Sequence, residues 1–514
     1  MQDNGKQLRL GVVLSYVNLA ISSLIPFFYT PIMLRMLGQA EYGLYSLSNS
    51  VTAYLSLLSF GFGTTIVRYI AKYRAEKNQE AIERTFGLFF MVYCALAVLV
   101  LAVGVFLAEN ANGIFAKGLQ ANEIVKMKTL VVIMSFNCAL SFPNSVFSSM
   151  IIAHERYIYR KLLDVLSTVL LPCINLAAMY MGFASVGLAL AETLLQVILV
   201  PANVLYCFRN LNLRLRFGGI EKPVILEMLG FSAFAFIGTI VDMLFWATDK
   251  VILGMLAGTA AVAVYNIGGT FNNIIMSLSS SISGVLTPKI VGMVTTNRPA
   301  SELTELTIRV GRLQFIIIAL AISGFTVFGQ AFIALWAGPE YRDAYWIALL
   351  TLYPLCVPLI QSAPRSIITA MNKHQFRSVL YLIIAVINVV STYLTVPYMG
   401  AIGAAVCTGV SYIVGHGIIM NIYYYKVTGV NIPLFWRNIL KMAVIPAAMA
   451  VAGLLLKNRY IMTDWLRFFI GVAVYSVVYF VLMAAFALDD YEKNMIGNML
   501  GKVLPFFRKN SQED

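Results

Sequence analysis

The stretch LRMLGQAEYGLY, Leu34 to Tyr45, comes back further down the chain as LGMLAGTAAVAVY, Leu253 to Tyr265. In both places a long apolar run ends, a glycine-bearing turn follows, and a second run begins. Two more pairs keep the same register: IIAHERYIYRK (Ile151 to Lys161) with ITAMNKHQFRS (Ile368 to Ser378), and YMG at Tyr180 to Gly182 with YMG at Tyr398 to Gly400. One match would mean little, but three in register imply two copies of one unit.

The runs flanking these motifs are about 20 residues or longer, enough to cross a hydrocarbon core roughly 30 Å thick. Composition agrees. The 514 residues are 60% hydrophobic and 12% charged, with a mean hydropathy of +0.79, whereas a soluble domain is roughly half apolar and about a quarter charged. A soluble enzyme is excluded. Apolar runs broken by charged or Gly/Asn-rich segments predict an all-α integral membrane protein of 14 transmembrane helices, in two parallel six-helix repeats plus two C-terminal helices. The expected boundaries are 1–217 for the N-terminal lobe (spans 1–6), 218–427 for the C-terminal lobe (spans 7–12), 428–488 for spans 13 and 14, and 489–514 for a cytoplasmic amphipathic tail. An even number of spans per copy gives both copies one orientation, related by an axis along the membrane normal. Halves related in this way can rock about a central site.

Charge tests this layout. With a cytoplasmic N-terminus, only Arg35, Lys117, Lys126, Lys128, Lys250, Arg342, Lys457, Arg459 and Arg467 fall outside, leaving 28 of the 37 Lys and Arg inside. That bias follows the positive-inside rule and places both termini in the cytoplasm. It also accounts for the net charge of +13 without a nucleic-acid partner. Trp246, Trp336, Trp346, Trp436 and Trp465 all fall at predicted span ends, where indole prefers to sit. The first apolar run, Leu10 to Leu37, is too long for a signal peptide. All six cysteines lie inside apolar runs, so no disulfide, metal site or other cofactor is expected.

Polar side chains are uneven among the spans. Span 2 (Tyr42 to Ile70) carries nine Ser, Thr and Asn and span 8 (Ala261 to Ile290) ten, while span 3 (Phe86 to Ala108) has none. Spans 2 and 8 are repeat equivalents, and a helix beside a water-filled cavity tolerates such groups; helix-packing hydroxyls are the alternative. Asn49, Ser56, Asn266, Asn272 and Asn273 are the cavity candidates. Ionisable groups inside spans are costly unless solvated or paired, which singles out Glu192, Asp242 and Asp249 for ion coupling. Arg68 lies near the inner end of span 2. His416 reads as a structural histidine, and Pro26 and Pro31 bend span 1.

These residues carry a family resemblance. LRMLGQAEYGLYSL, the glycine-rich FGFGTTIVRYIAKYR (Phe60 to Arg74), FIALWAGPEYRDAY (Phe332 to Tyr345) and the AHERY and AMNKHQ loops resemble the polysaccharide-transporter, Wzx-type branch of the multidrug/oligosaccharidyl-lipid/polysaccharide (MOP) exporter superfamily. The resemblance implies a flippase in the bacterial cytoplasmic membrane. It would carry an undecaprenyl-pyrophosphate-linked oligosaccharide from the inner to the outer leaflet for capsule, exopolysaccharide or O-antigen synthesis. Implied with it are a cavity lined by spans 1, 2, 7 and 8, contact with membrane lipid, and a polymerase and glycosyltransferases of the same pathway as partners. Related flippases hold pyrophosphate with cavity arginines. Spans 1 and 7 here lack a central arginine, which leaves Arg68, Lys289 and Arg365 near inner span ends as candidates. With no Walker A sequence and no catalytic residue in view, an ion gradient is the expected energy source. A cation-coupled multidrug exporter of the same superfamily is the first alternative, and an integral-membrane polymerase or ligase the second.

Overall fold

The computed structural model describes residues 2–219, 221–373, 375–456, 464–489 and 492–493. Among these every regular element is a helix. The chain starts with α1 (Gln2–Ala53), which passes through a short 3-10 turn (Tyr54–Ser59) into α2 (Phe62–Ala75), and continues with α3 (Gln79–Glu109) and the short α4 (Ala111–Phe115). Next come α5 (Ala121–Ala153), α6 (Tyr157–Tyr180), α7 (Ala184–Leu205), α8 (Lys222–Trp246) and α9 (Thr248–Leu256). They are followed by α10 (Thr259–Thr295), α11 (Ala300–Trp336), α12 (Ala344–Ile360), α13 (Ser362–Ala370) and α14 (Gln375–Tyr412). The last are α15 (Met420–Thr428), α16 (Ile432–Leu456) and α17 (Trp465–Phe486). Most of the 489–514 segment, expected to be an amphipathic tail, lies outside the described residues.

Ten helical stretches are long and apolar enough to cross a membrane, and up to twelve if each of two sharply bent pairs is one span. Two of the ten are 52 and 54 residues long; at about 1.5 Å per residue each approaches 80 Å, more than twice a hydrocarbon core of roughly 30 Å. Each contains a glycine whose backbone leaves the helical region: Gly38 (φ 74°, ψ 169°) and Gly400 (φ 55°, ψ −138°). Those angles are open to glycine and strained for any residue with a Cβ. At the register of the sequence repeat, Gly38 and Gly258, Lys77 and Asn297, Glu155 and Asn372, and Gly182 and Gly400 pair up, and all eight have positive φ.

The contact pattern divides the chain into two units, Met1–Ile267 with Tyr381–Thr408, and Gly268–Leu380 with Gly409–Asp514. In the first, α2, α3 and α5 close around an aromatic core. Phe86 and Phe147 meet edge to face at 5.5 Å, as do Tyr93 and Phe142 at 5.7 Å, a favoured quadrupole geometry. Capping sets the ends: the Asn78 side chain accepts from Ala81 N, and Gln120 with Glu123 forms a capping box at the head of α5, each satisfying backbone donors that a helix start leaves open. Past the end of α5, burial together with the neighbouring Arg74 and Arg156 holds the His154 imidazole below its ordinary value.

In the second unit, Phe271, Phe325, Phe332 and Trp336 stack between α10 and α11. The α10 axis bends by 49° at Gly284 to Leu286, and α12 turns by 47° into α13. Gln314 of α11 joins the two bends. Its amide donates to Ser279 Oγ (3.0 Å) and Ser283 Oγ (2.9 Å) on α10, and its carbonyl accepts from Ser362 Oγ (2.9 Å) at the head of α13. Arg312, two residues earlier, makes a bidentate pair with Glu492 at 2.7 and 2.6 Å, fixing the start of the C-terminal segment on α11.

Candidate functional site

Along the second half of α1, Tyr42, Tyr45, Ser46, Asn49, Ser50 and Ala53 recur at spacings of three and four, so they form one stripe of the helix surface. That stripe forms one wall of a cavity of about 450 Å³ inside the first unit, within the roughly 300–1,000 Å³ of small-molecule sites. Tyr29, Met33, Asn175 of α6, Leu188 of α7, Met243, Ala247, Lys250 of α9 and Asn266 of α10 make up the rest of the lining among the described residues. Asn266 donates to Tyr42 Oη at 2.6 Å. Tyr29 Oη and Asn175 Oδ1 are buried with no partner of hydrogen-bond geometry among the described residues. Among the described residues the wall mixes three asparagine amides, three phenols, two serine hydroxyls and one ammonium with the apolar side chains of Met33, Ala53, Leu188, Met243 and Ala247.

Next to that ammonium, Asp249 is wholly buried. Its Oδ2 accepts from Tyr265 Oη at 2.5 Å and Thr408 Oγ1 at 2.8 Å, and its Oδ1 from Thr392 Oγ1 at 3.3 Å. Asn388 donates to Thr408 Oγ1 at 3.4 Å. An ionised carboxylate only accepts, and three hydroxyls from α10 and α14 converge on it as donors, an arrangement that supports a charge away from water. The carboxylate and the hydroxyl oxygens around it are hard oxygen groups, suited to a proton or a small hard cation. The residue before it, Thr248, shares a 2.5 Å hydrogen bond with Tyr54 Oη.

The residues singled out from sequence are not gathered in one place. Asn49 and Asn266 line the cavity. Ser56 lies in the 3-10 turn, donating to Ala53 O at 2.6 Å. Arg68 of α2 is exposed, its guanidinium 4.4 Å from the Phe231 ring centre. In the second unit Asn272 is buried, accepting from Thr351 Oγ1 at 3.1 Å, while Asn273, Lys289 and Arg365 are exposed. Glu192 is half-buried on α7, and the side chain of Asp242 lies outside those described. Many of the counted hydroxyls bond their own helix: Ser50 to Ser46 O, Thr52 to Ser48 O, and Ser280 and Ser281 to Ser277 O. Residue counts missed Lys250, placed among the outer-face cations, and the tyrosines, which a count of Ser, Thr and Asn leaves out. An Asp-Lys pair at the end of a long apolar span was the signal that could have found the lysine.

Residues 9–294 match the family of polysaccharide biosynthesis proteins. The chain belongs to that family. Among its relatives is the uncharacterized membrane protein EpsK of Bacillus subtilis (strain 168), 21% identical over 436 residues that cover 82% of this chain and 83% of that one. Among solved structures, lipid II flippase MurJ in an inward closed conformation superposes with a TM-score of 0.72 at 11% identity, covering 94% of this chain and 100% of MurJ. An inward-facing multidrug resistance MATE transporter of the MOP superfamily gives 0.63 at 14% identity over 82% and 99%. The polysaccharide biosynthesis family member thus has the multi-pass helical fold of MOP-superfamily transporters.

Proposed function

We propose that this family member is a flippase that carries an undecaprenyl-pyrophosphate-linked oligosaccharide from the inner to the outer leaflet of the bacterial cytoplasmic membrane by alternating access, and that Asp249 is its ion-coupling carboxylate. The observation that carries this reading is the asparagine- and tyrosine-walled cavity placed beside a fully buried carboxylate within otherwise apolar spans. Sugars and a diphosphate cannot cross hydrocarbon unless their polar groups keep partners. Amides and phenols supply those partners on one side of α9, while a cation or proton bound at Asp249 supplies the energy on the other. Glu192 and Asp242 are secondary coupling candidates. The almost wholly apolar cavity, about 540 Å³ among α11, α16 and α17, suits acyl chains.

We read the two long helices as two spans each, joined at Gly38 and Gly400, and the two bent pairs as one span each. That gives fourteen spans with both termini cytoplasmic. The matched positive-φ positions support two copies of one six-span unit, lobes 1–217 and 218–427. A polymerase and glycosyltransferases of the same pathway are the proposed partners. Reconstitution into liposomes loaded with undecaprenyl-pyrophosphate-linked oligosaccharide tests the reading: protein-dependent, gradient-accelerated movement between leaflets supports it, and movement no faster than in protein-free vesicles refutes it.

A further inference from the structure

The AHERY loop and its counterpart in the second copy keep their cations and differ in their acids. At the register of the repeat Arg156 and Arg160 become Lys373 and Arg377, while Glu155 becomes Asn372 and Asp164 becomes Tyr381. The aromatic scaffold is kept: Tyr159 stacks on Tyr206 at 3.8 Å, and at the same register Phe376 stacks on Tyr423 at 4.3 Å. In the first unit acids stand among the cations. Asp164 pairs with Arg160 at 3.0 Å and with Lys161 at 3.4 Å, and Glu83 pairs with Arg216 at 2.9 Å. The second copy has no such compensation, since no Asp or Glu occurs between Asp343 and Asp464. Arg365, Lys373, Lys426, Arg437 and Lys441 are all exposed, and they enter no ion pair among the described residues.

Packing gathers these charges at one end of the second unit. Asn421 Oδ1 accepts from Gln361 Nε2, just before α13, at 2.6 Å and from Trp436 Nε1 of α16 at 2.9 Å. Tyr423 Oη donates to the Lys373 carbonyl at 2.8 Å. One turn of α15 thus ties the connection from α13 to α14 to the head of α16. Further along the same helices the surface turns apolar. Ile422, Leu440 and Val444 are exposed, each three or four positions from Lys426, Arg437 or Lys441 and therefore beside it on the helix surface. A positive-inside bias does not require this arrangement, because the first copy meets the same bias with acids present.

We propose that this end of the second unit, built by α13 to α16, is a binding site for an anionic phospholipid, with the headgroup phosphate on the exposed Lys and Arg and the acyl chains along Ile422, Leu440 and Val444. Cations at a membrane surface attract anionic headgroups over about a Debye length, and the aliphatic border supplies what the rest of such a molecule needs. A soluble acidic protein would match the charges and leave that border uncovered. On the orientation proposed above, the lipid belongs to the inner leaflet. The inference goes beyond the flippase reading and needs only a bilayer around the helices.

Native mass spectrometry of the full-length protein, titrated with phosphatidylglycerol or with zwitterionic phosphatidylcholine, tests this. Wild type should bind the first phosphatidylglycerol roughly 10-fold more tightly than phosphatidylcholine. A variant carrying Lys373→Gln, Lys426→Gln, Arg437→Gln and Lys441→Gln should bring the two lipids to within about twofold of each other. Neutralising as many cations in the first unit, by Arg156→Gln, Arg160→Gln, Lys161→Gln and Arg209→Gln, should leave the preference within about twofold of wild type. A second-unit variant that keeps the wild-type preference overturns the site, and so does an equal loss in both variants, which assigns the preference to net charge alone. The third probe is a soluble glutamate-rich peptide: its binding to a wild type that shows no preference for phosphatidylglycerol assigns the patch to an acidic protein and overturns the lipid site. Should the second-unit variant fail to fold, wild type labelled with photoactivatable phosphatidylglycerol decides. Crosslinks within 361–380 or 420–445 support the site, and crosslinks found only elsewhere overturn it. Transport is not measured in any arm, so failure here leaves the flippase reading standing, and failure of translocation in liposomes leaves this site standing.

Discussion

Replacing Asp249 by asparagine should uncouple transport from its ion gradient while leaving the protein folded. The carboxylate accepts three hydroxyl hydrogen bonds at 2.5, 2.8 and 3.3 Å. Bonds to a charged acceptor contribute about 1.5–3 kcal/mol each and neutral ones about 0.5–1.5 kcal/mol. Asparagine can place its oxygen where Oδ2 stood, keeping Tyr265 and Thr408, and turn its amide towards Thr392, whose hydroxyl then accepts. All three contacts survive in neutral form, so the expected loss is about 1 kcal/mol per bond, or about 3 kcal/mol in all. Alanine would instead strand three buried hydroxyls and cost roughly 4–9 kcal/mol, which confuses misfolding with uncoupling. The assay is translocation in proteoliposomes under imposed sodium and proton gradients, one at a time, with thermal melting as the folding control. Asp249→Asn should melt within about 10 °C of wild type and move substrate at one rate whatever the gradient. A folded Asp249→Asn protein that still responds to a gradient as wild type does would refute the coupling role.

Gly43→Ala should destabilise by about 3 kcal/mol or more, because the new Cβ would sit 1.9 Å from the Thr259 carbonyl oxygen, a backbone atom that cannot yield. Gly38→Ala meets nothing within 4 Å and should cost only the strain of its φ of 74°, about 1–3 kcal/mol; equal melting points for the two variants would contradict both accounts. Gln314→Leu strands Ser362 Oγ and releases Ser279 and Ser283 from α11, for an expected loss of roughly 1–3 kcal/mol; an unchanged melting temperature would remove Gln314 as the tie between the two helix bends. His154 is held below its ordinary value by burial, so the unfolded chain takes up a proton first as pH falls through about 6.5. Stability should therefore drop on the acid side of that value, and His154→Gln should flatten this drop between pH 7 and pH 5 in melts followed by intrinsic fluorescence.

Much of the architecture is visible in the linear chain because a bilayer imposes length. Every run of about 20 apolar residues must be helical to satisfy its backbone, and the paired motifs around Gly38 and Gly258, or Gly182 and Gly400, mark turns where only backbone freedom of that kind suffices. The cavity was less visible. Counting hydroxyls pointed to spans 2 and 8, yet Ser50, Thr52, Ser280 and Ser281 bond their own helices, an option open to any hydroxyl on a helix and invisible in a residue count. Asn272 and Asn266 look alike in sequence, six positions apart on α10. One is buried on Thr351 and the other lines the cavity.

Composition and periodicity by themselves determined that the chain is helical, that it resides in a membrane and that its motifs recur, since those follow from local chain length and one-dimensional pattern. Only the tertiary structure decided that Thr392 and Thr408 meet Asp249, that Lys250 lines a cavity with Asn49, Asn175 and Asn266, and that Gln314 ties two bent helices together. Those contacts join residues far apart in the chain, and which side of a helix they occupy depends on how kinks and close glycine contacts rotate one helix against the next.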